Sequence, residues 1–332
     1  LQPDACEQCN DGGYGDRFGF SVSLDDSGSR LAVGAHYEAK GPTRIYDWDG
    51  SNWVQLGQTV QQEEDSYGGG YQVELSGDGA SLIVGIPRRP NGELEWAGGA
   101  KVYEFSGGSW VQRGSTLLGV GAFDEATQVS INHDGTTVAL GAHYNDTPTD
   151  LTDAGNLRVF TWQEGEWRQR GSSLYGGNAQ DRFGGMVSLS DDGEALVVTS
   201  QFSEGAGFTD DPGSAYLYWW RNNDWRLIDT VYGNENNSYI YQAEISGDGA
   251  TITFGAGYAS SVDGIRGAGN AFVYRLAIDS DSDGIADAYD AFPTIPLGEL
   301  VDTDLDGRPN DCDESCQTLG MSADDDDDND GV

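Results

Sequence analysis

The sequence predicts an all-β fold, a β-propeller of about five four-stranded blades followed by an irregular, acidic C-terminal tail. Three observations predict it. One pattern recurs five times along the chain, each recurrence divides into short strand-like runs, and evenly spaced aspartates crowd the residues after 278.

The recurring segments are FGFSVSLDDSGSRLAVGAHYE, GGYQVELSGDGASLIVGIPRR, EATQVSINHDGTTVALGAHYN, FGGMVSLSDDGEALVVTSQFS and YIYQAEISGDGATITFGAGYA. Their turn glycines, Gly28, Gly79, Gly135, Gly193 and Gly249, stand 51, 56, 58 and 56 residues apart. In each, an alternating run such as VSL or VEL meets a Ser-Gly or Asp-Gly turn suited to positive φ, then a β-branched run such as LAVGA, which reads as a hairpin. TRIYDW, AKVYEF, LRVFTW, AYLYWW and AFVYRL supply a third strand. A fourth comes from SNWVQLG, GSWVQRG, GEWRQRG and NDWRLID, with Trp53, Trp110, Trp167 and Trp225 spaced by 57, 57 and 58. Four strands per repeat of this length is the pattern of propeller blades, whose sheets bury their faces on one another. The blades are placed at about residues 15–58, 66–114, 121–171, 179–229 and 236–276, after an N-terminal segment 1–14 and before a tail 277–332. Repeat five has no tryptophan strand, so five blades of four are one strand short. Residues 1–14, an imperfectly closed ring or a neighbouring chain are the candidates to make up the difference.

With FGFSVSL and FGGMVSL as first motif and VGAHYE or LGAHYN as second, residues 15–276 resemble FG-GAP repeats, the blades of integrin alpha-subunit heads and of many bacterial surface proteins. The resemblance implies a propeller. Blades of that family often carry a calcium loop of the form DxNxDGxxD, which none of these five turns has, so no metal is expected there. The turns also lack the S-x-D-x-G-x-x-W box of sialidases.

Composition divides the chain into two regions with different physics. With 17 basic and 56 acidic residues the net charge is −39, which excludes a nucleic-acid partner because phosphate contacts need lysine and arginine. From Asp279 onward, 18 acidic residues face one basic residue, Arg308. In DSDSDGIADAYD, Asp279, Asp281, Asp283, Asp287 and Asp290 fall at positions 1, 3, 5, 9 and 12 of a twelve-residue calcium loop, with Gly284 at the sharp turn and Ile285 offering its carbonyl. DTDLDGRPNDCD repeats the spacing 23 residues on through Asp302, Asp304, Asp306, Asn310 and Asp313, with Arg308 at the carbonyl position. A third loop begins with Asp326, Asp328 and Asp330. Such tandem loops with a nearby cysteine pair resemble thrombospondin type 3 repeats, which wrap chain around calcium with almost no secondary structure or apolar core. That resemblance covers residues 279–332 and implies two or more Ca2+ ions. Magnesium suits the loops less, because it keeps its waters and demands near-octahedral ligands. Without metal the tail has too little apolar surface to offset its ordering entropy, so folding and binding are expected to be one event. Three disulfide pairings are open to Cys6, Cys9, Cys312 and Cys316, and the two local pairs, Cys6–Cys9 and Cys312–Cys316, are expected; with the calcium loops they favour an extracellular, secreted or cell-surface protein. No apolar run is long enough to span a membrane, the N-terminus lacks the features of a secretory signal, and the chain is expected to be a processed one that continues past Val332.

Nothing in the sequence marks catalysis. His36 and His143 occupy one repeat position within GAHY and are read as structural, while His133 replaces a turn residue, and no nucleophile elbow, phosphate loop or zinc motif accompanies them. Three residues after the glycine or threonine of the second strand come Tyr37, Arg88, Tyr144, Phe202 and Tyr258, one per blade. Equivalent positions share a rim, where these side chains either form a ligand-stacking ring or pack between blades. The expectation is therefore a non-enzymatic, calcium-stabilised module for recognition or adhesion, binding extracellular protein or glycan. The alternatives are a subunit of a calcium-dependent fibre, built with neighbouring copies of itself, and a polysaccharide-active propeller enzyme.

Overall fold

Every blade turns from its first to its second strand where the sequence marks it. Gly28, Gly79, Gly135, Gly193 and Gly249 have φ of 66, 69, 67, 67 and 71°, in the left-handed region that glycine enters without steric cost. Ahead of each, a short polar side chain closes the turn: Asp25 Oδ1, Ser76 Oγ, Asn132 Oδ1, Ser190 Oγ and Ser246 Oγ accept the backbone N–H of Arg30, Ser81, Thr137, Ala195 and Thr251 at 2.8–2.9 Å.

The structure, a computed structural model, describes residues 17–36, 41–62, 69–204, 211–221, 223–260, 267–275, 292, 294–296, 300 and 308–324. It is an all-β propeller arrangement of five blades, each an antiparallel meander. Blade 1 holds β1 (Phe18–Leu24), β2 (Arg30–Ala35), β3 (Thr43–Trp48) and β4 (Trp53–Gln55). Blade 2 holds β5 (Val73–Leu75), β6 (Ser81–Ile86), β7 (Gly99–Ser106) and β8 (Ser109–Gln112), with β9 (Leu117–Leu118) pairing β7. Blade 3 repeats this with β10 (Gln128–Ile131), β11 (Thr137–Ala142), β12 (Asn156–Gln163), β13 (Glu166–Gln169) and β14 (Leu174–Tyr175) on β12. Blade 4 holds β15 (Phe183–Leu189), β16 (Ala195–Ser200), β17 (Ser214–Arg221) and β18 (Asp224–Tyr232). Blade 5 has three strands among the described residues, β19 (Ile240–Ile245), β20 (Thr251–Ala256) and β21 (Asn270–Arg275), as the missing tryptophan run predicts. The short strands β9 and β14 carry no alternation of their own and were not legible in the sequence.

The core lies between blades rather than within them. Blades 2 and 3 enclose Ile83, Val102, Val129, Val138, Leu140 and Trp167, and blades 1–2 and 3–4 enclose equivalent sets. Second-strand glycines let the sheets approach: a Cβ at Gly34, Gly85 or Gly141 would overlap the carbonyl oxygen of Gly70, Thr127 or Gly184 on the next blade. Tryptophans lock the outer edges. The indole N–H of Trp110, Trp167 and Trp225 donates to the carbonyl of Leu56, Arg113 and Arg170, in each case three residues beyond the tryptophan of the preceding blade. On the axis, inner-strand side chains of one blade accept backbone N–H groups of the next, Ser21 from Val73, Ser23 from Leu75, Gln72 from Val129, Glu74 from Ile131, Ser130 from Leu189 and Ser188 from Ile245.

This packing is not repeated between blades 5 and 1. Val22 and Leu24 are 61% and 54% exposed, whereas their counterparts Val73, Val129 and Val187, and Leu75, Ile131 and Leu189, are all buried. A Cβ at Gly255 would meet nothing within 4 Å among the described residues. The three ways the sequence left for closing the ring stay open, because residues 1–14 lie outside the described residues.

The chain divides into two compact units, Leu1–Tyr274 and Arg275–Val332. In the second, Cys312 and Cys316 form the expected local disulfide, and Cys316 and Met321 bury against Phe292 and Ile295. The tail is not wholly irregular. One short helix, α1 (Glu314–Leu319), is capped at Asp313, whose carboxylate accepts the N–H of Ser315 and Cys316, and ends on Gly320 at φ 101°. Asp279, Asp281, Asp283, Ile285, Asp287, Asp290, Asp302, Asp304, Asp306, Asp326, Asp328 and Asp330 lie outside the described residues, as do Cys6 and Cys9.

Candidate functional site: the aromatic rim and the axial channel

Opposite the hairpin turns, the loops joining second to third strands meet the entries to the inner strands, and there four of the five predicted rim residues are described. Arg88 lies over the Trp96 ring at 4.6 Å and faces Glu125 at 3.9 Å, and Trp96 meets Phe123 edge-on at 5.7 Å. Tyr144, Phe202 and Tyr258 are joined into one chain by two residues absent from the sequence-based ring. Arg182 is sandwiched between Tyr144 and Phe202, 4.9 and 4.7 Å from their centroids, and Tyr239 links Phe202 at 5.5 Å to Tyr258 at 5.6 Å. Tyr241 completes a triad, 6.0 Å from Tyr258. The inner members fill space between blades, but Tyr258 is 60% and Tyr241 40% exposed. Tyr37 lies outside the described residues.

Backbone strain concentrates on this rim. Trp96, Phe123, Arg182 and Tyr239 have φ of 51, 64, 54 and 48°, a region that costs a side chain about 1–2 kcal/mol. The strain turns cations and rings toward one another. Beside Arg182 and Phe202 opens a hollow of about 530 Å3, lined also by Asn178, Gln180, Asp181 and Glu204. His143 meets Tyr144 with tilted rings at 4.2 Å; burial, then the Arg182 charge, pull its pKa down to about 4, so it is neutral at physiological pH. His36 lies between Phe20 and Tyr71, at 5.0 and 4.8 Å. Both sit among aromatic rings.

The axial channel is a cavity of about 690 Å3 lined by all five inner strands. Its wall is polar at one repeat level, where inner-strand alternation points Ser23, Glu74, Ser188 and Glu244 inward; Ser130 holds the same level in blade 3. Glu74 Oε1 accepts Ser130 Oγ at 2.9 Å and Ile131 N at 3.1 Å. Burial outweighs those bonds and, with Glu244 nearby, pushes the Glu74 carboxyl up to about 8; burial raises Glu244 too.

At the turn end of the channel, repeat-equivalent positions hold Asp26, Gly77, His133, Asp191 and Gly247. Ligand-type atoms of Asp26, His133 and Asp191 lie within 4.8 Å of one another, and His133 Nδ1 is 2.8 Å from Asp26 Oδ2. The hydrogen bond to Asp26, with the charges of Asp26, Asp191 and Asp78, raises the His133 pKa. Gly77 and Gly247 leave room for them, since a Cβ at either would overlap His133 and Asp26, or Asp191. The donor set accommodates an imidazolium held by two carboxylates. The sequence placed His133 in a turn, but which residues it would meet requires the ring to be assembled.

A family model described as FG-GAP repeat matches residues 9–46, the stretch holding the first of the quoted repeats. Among solved structures, Kuenenia stuttgartiensis hydrazine synthase is similar at 14% identity and a TM-score of 0.51, over 78% of this chain and 71% of that one. A functionally unknown protein from Desulfotomaculum acetoxidans DSM 771 is similar at 10% identity and a TM-score of 0.47, over 77% and 74%. The first of these likenesses speaks to the fold alone. No curated protein matches the chain.

Proposed function

We propose that the protein is an extracellular, non-enzymatic recognition module whose rim binds a glycan. The observation that carries this reading is the aromatic chain from Tyr144 to Tyr258, whose members are half-buried up to Tyr239 and end on the exposed Tyr258, with exposed Tyr241 beside it. Packed members hold the exposed rings in fixed orientation, and fixed flat rings are what the apolar face of a sugar stacks on. The neighbouring hollow adds Asn178, Gln180, Asp181 and Glu204 as hydrogen-bonding groups for hydroxyls. Since Asp181 and Glu204 are acidic and the net charge is −39, neutral or amino sugars suit the site better than polyanions. The calcium-binding tail and the Cys312–Cys316 bridge fit an extracellular setting in this reading.

The test is binding to an array of neutral, amino and acidic glycans by wild type and by Tyr258→Ala and Tyr241→Ala. Both substitutions are at exposed positions and should leave the melting temperature within about 1 °C while weakening binding roughly tenfold. A fall in stability with unchanged binding would return these tyrosines to a packing role.

A further inference from the structure

The turn end of the axial channel gathers metal-ligand atoms from three blades. Asp26, Gly77, His133, Asp191 and Gly247 hold one repeat position, the second residue after each first strand. Backbone bonds fix this ring, since the N–H of Asp26 donates to the Gly77 carbonyl at 3.0 Å, that of His133 to Asp191 at 3.2 Å and that of Asp191 to Gly247 at 2.9 Å. The two glycines let the longer side chains converge. A Cβ at Gly77 would overlap both His133 Nδ1 and Asp26 Oδ2, and one at Gly247 would overlap the Asp191 carboxylate, so the ring forms a cradle where two more side chains would otherwise stand. His133 Nδ1 and Asp26 Oδ2 are 2.8 Å apart, and one ligand-type atom from each of Asp26, His133 and Asp191 lies within 4.8 Å of the others. A tetrahedral ion with bonds of about 2.0–2.1 Å holds its ligand atoms roughly 3.3 Å apart, inside that range. All three side chains are exposed, so water can fill the positions that remain. The charges of Asp26, Asp191 and Asp78 all act on His133. A proton on the imidazole leaves two of those three negative charges uncompensated, whereas a dication beside a neutral imidazole leaves one.

We propose that Asp26, His133 and Asp191 bind one divalent transition-metal ion of the zinc type, which ties blade 1 to blades 3 and 4 across the axis. Imidazole selects the class of ion, because a nitrogen ligand suits zinc and its transition-series neighbours while calcium and magnesium take oxygen. Three protein ligands leave the ion an open position for water at the channel mouth. Each of the three turns carries one ligand, so the site differs in kind from a calcium loop held within one turn, and the spacing inside any single repeat does not announce it. Blades 1 and 3 are not sequence neighbours, and the ion joins them directly. The site lies at the opposite end of the propeller from the aromatic rim and does not depend on the glycan reading.

The probe is zinc chloride titrated into the full chain, with millimolar calcium present to compete for the tail carboxylates. Saturable binding of one ion at roughly micromolar zinc is expected, with a melting temperature raised by about 5 °C at a hundredfold excess over Kd. His133→Ala and Asp191→Asn, both at exposed positions, should keep the metal-free melting temperature and each weaken zinc binding by roughly tenfold or more. In the wild-type chain, zinc should shift the ring resonances of His133 and leave those of His36 and His143, the other two histidines, in place. That spectrum needs no variant and so decides the matter even where a substitution unfolds the chain. A His133 resonance unmoved at saturating zinc, equal binding by wild type and both variants, or no binding at millimolar zinc would overturn the proposal.

Discussion

Glu74 is a half-buried carboxylate on the channel wall, and its neighbours do not fully replace the hydration it loses. Burial is the largest influence on it, the bonds from Ile131 N and Ser130 Oγ oppose burial, and Glu244 adds repulsion. The folded-state value near 8 lies above the ordinary 4.5, so the stability tied to the neutral form is complete below the ordinary value and is lost as pH rises through about 8. Glu74→Gln keeps an oxygen to accept both bonds and cannot ionise. The variant should match wild type near pH 4 and exceed it at pH 9 by up to about 5 kcal/mol, measured by urea unfolding at the two pH values. An identical difference at both would place the effect in packing instead. Glu74 was not singled out from the sequence, since QVEL reads as an ordinary half-exposed strand until five such strands converge on one axis.

Blades are held to one another by glycine contacts repeated along the second strands. At Gly141 an added methyl would collide with the Gly184 carbonyl of blade 4, while at Gly255, the same repeat position, it would meet open space. Gly141→Ala should therefore cost about 2 kcal/mol or more by forcing sheets apart, and Gly255→Ala well under 1 kcal/mol, both read from denaturant midpoints. Equal costs would mean that blade 5 is covered on that side in solution. Blade number, turn positions and the tryptophan strands were legible because each is a local pattern repeated at a fixed period, and the lack of a tryptophan run after the third strand of blade 5 was legible for the same reason. The rim was half legible. Tyr144, Phe202 and Tyr258 follow from register, but Arg182 and Tyr239, which join them, hold left-handed backbone that no composition signal announces, and they belong to different elements of the repeat.

At the scale of the whole molecule, the decisive quantity is the charge of −39 and its uneven placement. The 54 residues from Asp279 carry 18 acidic groups and one arginine, so like-charge repulsion there is far denser than in the propeller. The described part of this unit has one six-residue helix, one disulfide and a small apolar cluster, too little burial to offset such repulsion alone. A cation that neutralises several carboxylates at once would change the balance, and from the two matched loop spacings we propose calcium. Titrating millimolar calcium into chelator-stripped protein should give saturable heat, a smaller hydrodynamic radius and no response to magnesium at equal concentration, with affinity in the range of roughly 10⁻⁴ to 10⁻³ M. Asp281→Asn and Asp304→Asn, which each neutralise one carboxylate of a loop, should remove most of that heat, while Asp26→Asn in the channel mouth should leave it intact. A flat titration with an unchanged radius would detach the tail from calcium altogether, and heat lost with Asp26→Asn would move the ion from the tail to the propeller.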